Sequence, residues 1–278
     1  MGSTWSDISS LANNFQENAL LAARQAEIMR PLVRNFAGGA EMNPRKLYTY
    51  GDAGTLTIVV ETTDATASSF APSLLATLTP YGYQAQYTMT DMLLTSDWNE
   101  TIANAGTDAG ARFVVDSDTK LVGLFSTFTG GTVGTAGGTL TWDNIFRARA
   151  YLAAAHAPLP YYAVIRPEHS YYLLSAASGV PTLTQSPKFM DDLAGQAYIG
   201  SYGGINFYED ANIVSGTAAA AGMFSRDAIA FDMRRAPRTE MQRDASKGGG
   251  LWELNFSTVY AYGLYRPTFG CYMIGTSV

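Results

Sequence analysis

The stretch from Thr141 to Ser175, TWDNIFRARAYLAAAHAPLPYYAVIRPEHSYYLLS, constrains the fold more tightly than any other part of the chain. Thr141 can cap a helix with its side-chain oxygen, and Asp143 suits the positive end of a first turn. Ile145, Ala148, Arg149 and Leu152 then recur at spacings of three and four, which predicts one helix. Pro158 and Pro160 end it. Tyr161 to Ile165 is short, aromatic and β-branched, so it reads as a buried strand, and Pro167 opens a second helix. The product is a helix-strand-helix sandwich, read as part of a mixed α+β fold.

Composition says what surrounds that unit. The chain has 278 residues, of which 47% are hydrophobic and only 15% charged, with 17 tyrosines and 13 phenylalanines. An ordinary soluble domain is about 25% charged. Aromatic enrichment with charge depletion is the signature of surfaces that face other protein, although a Ser/Thr/Asn/Gly-rich exterior also lowers charge. The net charge of -6 gives no global attraction to nucleic acid or to an anionic membrane. Cys271 is the only cysteine, which excludes an intrachain disulfide framework and any CxxC motif and fits a reducing compartment. No apolar run approaches the roughly 20 residues of a membrane-spanning helix, and the amino terminus lacks signal-peptide order; production in the cytoplasm is expected.

Elsewhere the periodicity alternates between helix and strand. Ile8, Leu11, Phe15, Ala19, Ala22, Ala26, Met29, Val33 and Phe36 form one apolar stripe, predicting a helix over Trp5 to Phe36, kinked at Pro31. Two placements fit it: a core helix, or an arm laid on a neighbouring subunit. Thr55 to Glu61 and Tyr81 to Thr90 alternate with period two and predict a long two-stranded ribbon, with Thr62 to Pro80 as the loop between them. An isolated ribbon is marginal and has edges that invite another chain. Met89 to Phe125 predicts a long helix, broken near Asp116 to Thr119, in which Gly106 and Gly110 call for a close packing contact. Thr129 to Thr139 reads as a flexible connection between subdomains. Gly200 to Phe207 is a turn leading into a strand, Met223 to Met233 is strand-like, and Leu251 to Ile274 predicts a closing antiparallel pair.

Catalytic and ligand motifs are missing from the sequence. The Gly-rich loop lacks GK[ST], an ordered GxGxxG and any basic residue. His156 and His169 are the only histidines; there is no HExxH, no GxSxG and no metal-ligand spacing. His156 suits the end of a helix, and His169, in a first turn, is expected to cap or to face solvent. Asp116/Asp118 and Asp191/Asp192 read as solvated turns. The expectation is no catalysis, no cofactor and no metal. Arg234, Arg235, Arg238 and Arg243, the one basic cluster, are expected to pair with carboxylates within or between subunits.

In this order the elements resemble the HK97-fold major capsid proteins of tailed double-stranded DNA bacteriophages. The likeness is carried mainly by Thr141 to Pro167, by GSYGGINF at Gly200 to Phe207, and by Val259 to Ile274, ending YAYGLYRPTFGCYMIG. It implies an N-arm over 1–43, an extended β-hairpin E-loop over 44–88, a P-domain with a long spine helix over 89–128 and 231–278, and an A-domain over 129–230. The implied function is an icosahedral shell around the phage genome, located in the virion and assembled in the host cytoplasm. An encapsulin-like nanocompartment is the alternative. The implied partners are further copies of the chain in hexamers and pentamers, scaffolding, portal and decoration proteins, and non-specifically contacted DNA, with no membrane. The 36 residues before Ala37 leave no room for a large scaffolding segment, so any scaffold is expected to be separate. Lysine cross-linking is not predicted. The candidate inter-subunit residues are Phe15, Tyr48, Tyr50, Tyr81, Tyr83, Tyr87, Arg234, Arg235, Arg238 and Arg243.

Overall fold

The computed structural model describes residues 15–19, 27–50, 72–90, 98–175, 198–244 and 250–278. Its helix-strand-helix unit follows the local signals closely: α2 (Trp142–Ala154), β6 (Tyr161–Ile165) and α3 (Pro167–Ser175). The Thr141 side chain accepts the Asn144 N–H at 3.4 Å, and Ile145, Ala148 and Leu152 are buried. At the other end the Ala157 N–H donates to the Leu152 carbonyl and the His156 N–H to the Ala153 carbonyl, each at 3.0 Å. His156 has φ +55°, so it occupies the left-handed position that usually goes to glycine in this capping motif.

That unit belongs to a six-stranded mixed sheet. Its other strands are β5 (Thr132–Gly134), β7 (Tyr198–Tyr202), β8 (Ile205–Glu209), β9 (Ala219–Ser225) and β12 (Gly270–Gly275), in the order β5-β12-β9-β6-β8-β7. β7 and β8 form a hairpin in which Tyr202 pairs with Ile205, across Gly203 and Gly204 at φ +60° and +81°. Two positive φ values give the primed turn that matches strand twist. Alternation along β6 separates two cores: Tyr161, Ala163 and Ile165 pack with α2, while Val164 and Tyr162 join Phe125 and Phe224 on the opposite face.

The second body is a four-stranded sheet packed on α1 (Trp98–Gly123). Its strands are β1 (Arg34–Ala37), β10 (Ile229–Asp244), β11 (Leu251–Leu264) and β4 (Tyr81–Thr90), in the order β1-β10-β11-β4. β2 (Arg45–Tyr50) and β3 (Pro72–Leu78) form a separate two-stranded ribbon, and residues 15–19 are helical. β10 alternates too: Phe231 packs with Tyr260 in the core shared with α1, while Ala230 packs with Leu47, Leu78 and Ala261 at the ribbon root.

Several expectations need correction. The ribbon exists, but its strands are β2 and β3; Pro72 to Leu78 lies in the stretch read as a loop. Tyr81 to Thr90 is a strand, paired antiparallel with β11 from Tyr260 to Leu251. Thr55 to Glu61 lies outside the described residues. The apolar stripe from Met29 to Phe36 is not helical: a 3-10 turn at Arg30–Leu32, containing Pro31, gives way to β1, which runs parallel to β10. A strand buried on one side and a helix share short apolar spacings, and here the sheet partner decides. α1 is unbroken through Asp116 to Thr119. The Gly-rich connection is partly strand, with β5 parallel to β12. β11 and β12 do not pair with each other but are inner strands of different sheets.

Candidate assembly surfaces

The ribbon root is held and its outer part is exposed. Leu47 and Leu78 are buried against Ala230 and Ala261. Beyond them Tyr48 pairs in register with Leu74, and the two side chains are 48% and 54% exposed. A cross-strand aromatic-aliphatic pair left open to solvent is a surface suited to another protein. Tyr50 pairs with Pro72 farther along. Met42, before β2, and Tyr81, where β4 begins, are exposed as well.

The inner tyrosines are used inside the subunit. The Tyr83 ring stacks on Tyr260 at 4.2 Å, and Lys120 Nζ lies 3.5 Å from the Tyr83 ring centroid. Lys120 donates to Asp116 and, at 3.1 Å, to the Tyr260 hydroxyl, which itself donates to Asp116. The Tyr87 hydroxyl donates to Asp108 Oδ2 at 2.8 Å, and its ring meets Phe15 edge-on at 6.1 Å. Burial, with the neighbouring Tyr262 and Asp116, pushes the Tyr83 hydroxyl up to about 12; burial and the bond to Asp108 do the same for Tyr87. Phe15 is fully buried between Tyr87 and Phe256. The helical residues 15–19 therefore pack on their own subunit. Gly106 and Gly110 show why: a Cβ there would stand 2.6 Å from the Phe15 carbonyl oxygen and 2.1 Å from that of Ala19.

The arginines divide in the same way. Arg234 is almost wholly buried, with Nε 2.8 Å from Asp232, and it donates to the carbonyls of Gly38 and Asn43 at 3.0 and 3.1 Å. Arg235 reaches Glu41 at 3.3 Å, and Arg238 pairs with Glu240 at 2.8 Å on the surface. The Arg243 guanidinium lies 5.7 Å from the Trp252 ring centroid. Sequence reasoning missed Arg45 and Asp232, which meet across 187 residues at 2.7 Å. It also missed the apolar exterior of the helix-strand-helix unit, where Phe146, Tyr151, Leu159 and Tyr171 are exposed. Aromatic residues off the buried stripe of α2 were the available signal.

Two expectations about polar residues fail here. His169 is fully buried, beside Gly275, and burial holds its imidazole below the usual histidine range. Asp116 and Asp118 lie on α1, and Asp118 is completely buried. Asp191 and Asp192 fall outside the described residues. Among the described residues no group of three or more His, Cys, Asp or Glu side chains is placed to hold a metal, and no helix is long and apolar enough to cross a membrane.

No protein-family model matches this chain, and no curated protein sequence does. Solved structures do. A chain of Mycobacterium phage Che8 is 18% identical, with 98% of this chain and 96% of that chain covered at a TM-score of 0.63. The capsid of Ralstonia phage GP4 is 13% identical, with 89% and 87% covered at 0.66. A virus-like particle from Pyrococcus furiosus is 11% identical, with 94% and 98% covered at 0.59. Agreement over nearly the full length of both partners, at identities this low, is agreement in architecture: the chain has the HK97-type capsid fold.

Proposed function

We propose that this chain is the major head protein of a tailed bacteriophage, self-assembling into an icosahedral shell around double-stranded DNA. The single observation that carries the reading is architectural likeness to capsid structures, such as that of Ralstonia phage GP4, over 89% of this chain and 87% of that chain. The exposed Tyr48 and Leu74 pair supports it, because a projecting ribbon with an apolar face is suited to lie on a neighbouring copy. The role is structural. On this reading 1–43 is the N-arm, 44–88 the E-loop, 89–128 and 231–278 the P-domain, and 129–230 the A-domain. Hexamers and pentamers of the chain build the wall in the host cytoplasm, with scaffolding, portal and decoration proteins as partners and non-specific DNA contact inside. Of the candidate contacts, Tyr48 and Tyr81 have exposed side chains and fit best; Phe15 and Arg234 serve their own subunit.

Likeness to the Pyrococcus furiosus particle keeps a protein-filled, encapsulin-like shell as the second reading. Negative-stain microscopy of the purified protein, with and without a co-expressed scaffold, tests both. Closed shells are expected, and particles from the native source should carry DNA and a portal. Shells filled with protein would favour the second reading, and a monomer under all conditions would defeat both.

A further inference from the structure

The connection between β1 and β2, residues 38–44, carries the chain from the four-stranded sheet out into the ribbon. Its attachment is unusual in being ionic at a buried point. Asp232 is fully buried on β10, in register with Phe36 of β1 and Ala261 of β11. Its carboxylate receives Arg45 Nε at 2.7 Å from the first residue of the ribbon and faces Arg234 Nε at 2.8 Å from its own strand. The remaining guanidinium N–H groups are directed at the connection. Arg45 donates to the carbonyls of Ala37 and Gly38, and Arg234 to those of Gly38 and Asn43. Two planar cations, each with several fixed donors, thus tie one turn of backbone to one carboxylate. The apolar contacts of Leu47 and Leu78 lie alongside but are non-directional.

We propose that Asp232 is a positioning residue that sets the angle at which the β2–β3 ribbon leaves the subunit, through Arg45 and Arg234. The ribbon is therefore a preset lever rather than a loose arm. This deepens the shell reading: a fixed angle places Tyr48 and Leu74 where a neighbour receives them, and its value for assembly rests on that reading. The joint itself can be tested without it.

The test is hydrogen–deuterium exchange on the unassembled full chain, comparing native protein with Arg45→Gln, Asp232→Asn and, as a control, Arg34→Gln. Arg34, on β1, pairs with Asp227 at a solvated site. Arg45→Gln leaves the buried Asp232–Arg234 pair intact, so it keeps the result interpretable should Asp232→Asn unfold. Amides of 38–50 and 72–78 are expected to exchange about tenfold faster or more in Arg45→Gln, with β6 and β9 unchanged and the Arg34 variant like native. Unaltered ribbon exchange in Arg45→Gln overturns the proposal, and so does acceleration spread equally over β6 and β9. Failure of the native chain to form shells would instead count against the shell reading, leaving the exchange result to decide the joint.

Discussion

Asp118, near the C-terminal end of α1, accepts the backbone N–H of Met29 at 3.3 Å across 89 residues of sequence. Its second oxygen accepts the Ile28 N–H at 3.2 Å, so one buried carboxylate fastens the segment that leads into β1 onto the long helix. The anchor stands in a poor place for a charge. Burial, with Asp210 nearby and Glu27 adding to it, pushes Asp118 up to about 7, against the two N–H donors that favour ionisation. Asp210 is itself raised by burial, and so is Glu27 despite Arg30.

A pH dependence of stability follows from Asp118. An unfolded aspartate titrates near about 3.9. The folded state therefore holds the proton more tightly, and the stabilisation this gives is complete below that value and is lost as pH rises through about 7. Asp118→Asn has the shape of the protonated acid without its titration. At pH 5 the variant should match native protein within about 1 kcal/mol; at pH 8.5 it should be more stable by on the order of 2 kcal/mol. Urea unfolding at the two pH values measures this, and an equal difference at both would contradict it.

Two glycines of α1 should respond in opposite ways to alanine. At Gly110 a Cβ would meet the Ala19 carbonyl oxygen at 2.1 Å, a backbone atom that cannot rotate away. Gly110→Ala should destabilise by about 1–3 kcal/mol in spite of better helix propensity, and should expose residues 15–19 to protease. Gly123, at the end of the same helix, has nothing within 4 Å of its virtual Cβ. Gly123→Ala should be neutral or stabilising by up to about 1 kcal/mol. Thermal melts with limited proteolysis separate the two outcomes.

The Tyr260 hydroxyl joins Lys120 to Asp116, while its ring is fully buried between Tyr83 and Phe231. Tyr260→Phe keeps the ring and should cost about 1–2 kcal/mol; Tyr260→Ala should cost about 3–5 kcal/mol. If chemical denaturation shows the two variants to be equally damaging, the hydroxyl network and not packing sets the stability there.

What was legible in the sequence was local. Thr141, Pro158, Pro160 and Pro167 act within a turn or two of themselves, so α2, β6 and α3 emerge almost residue for residue. Strand partners were not legible, because the alternation of Tyr81 to Thr90 is equally compatible with either partner; only long-range packing assigns it to β11. β3 was hidden by its opening proline and by exposure along most of its length, which removes the alternating signal. The role of Asp118 could not be read at all. A carboxylate two residues from another looks like a solvated pair until the fold brings Ile28 and Met29 to it.

The long pair β10–β11 has a mechanical consequence. β10 runs for 16 residues, about 50 Å of extended chain, and pairs with β11 from Ile229 opposite Leu264 to Asp244 opposite Leu251, with register shifts between Met233 and Arg235 and between Arg235 and Arg238. β9 leads into β10 at Ile229 and β11 leads on to β12 from Leu264, so a pull between the Asp244 end of this pair and the six-stranded sheet is carried by both strands. Such tension passes through the two covalent backbones and leaves their cross-strand hydrogen bonds largely unloaded. Tension along this axis meets the subunit at its most resistant, while a force at right angles, lifting β4 off β11, would unzip it rung by rung.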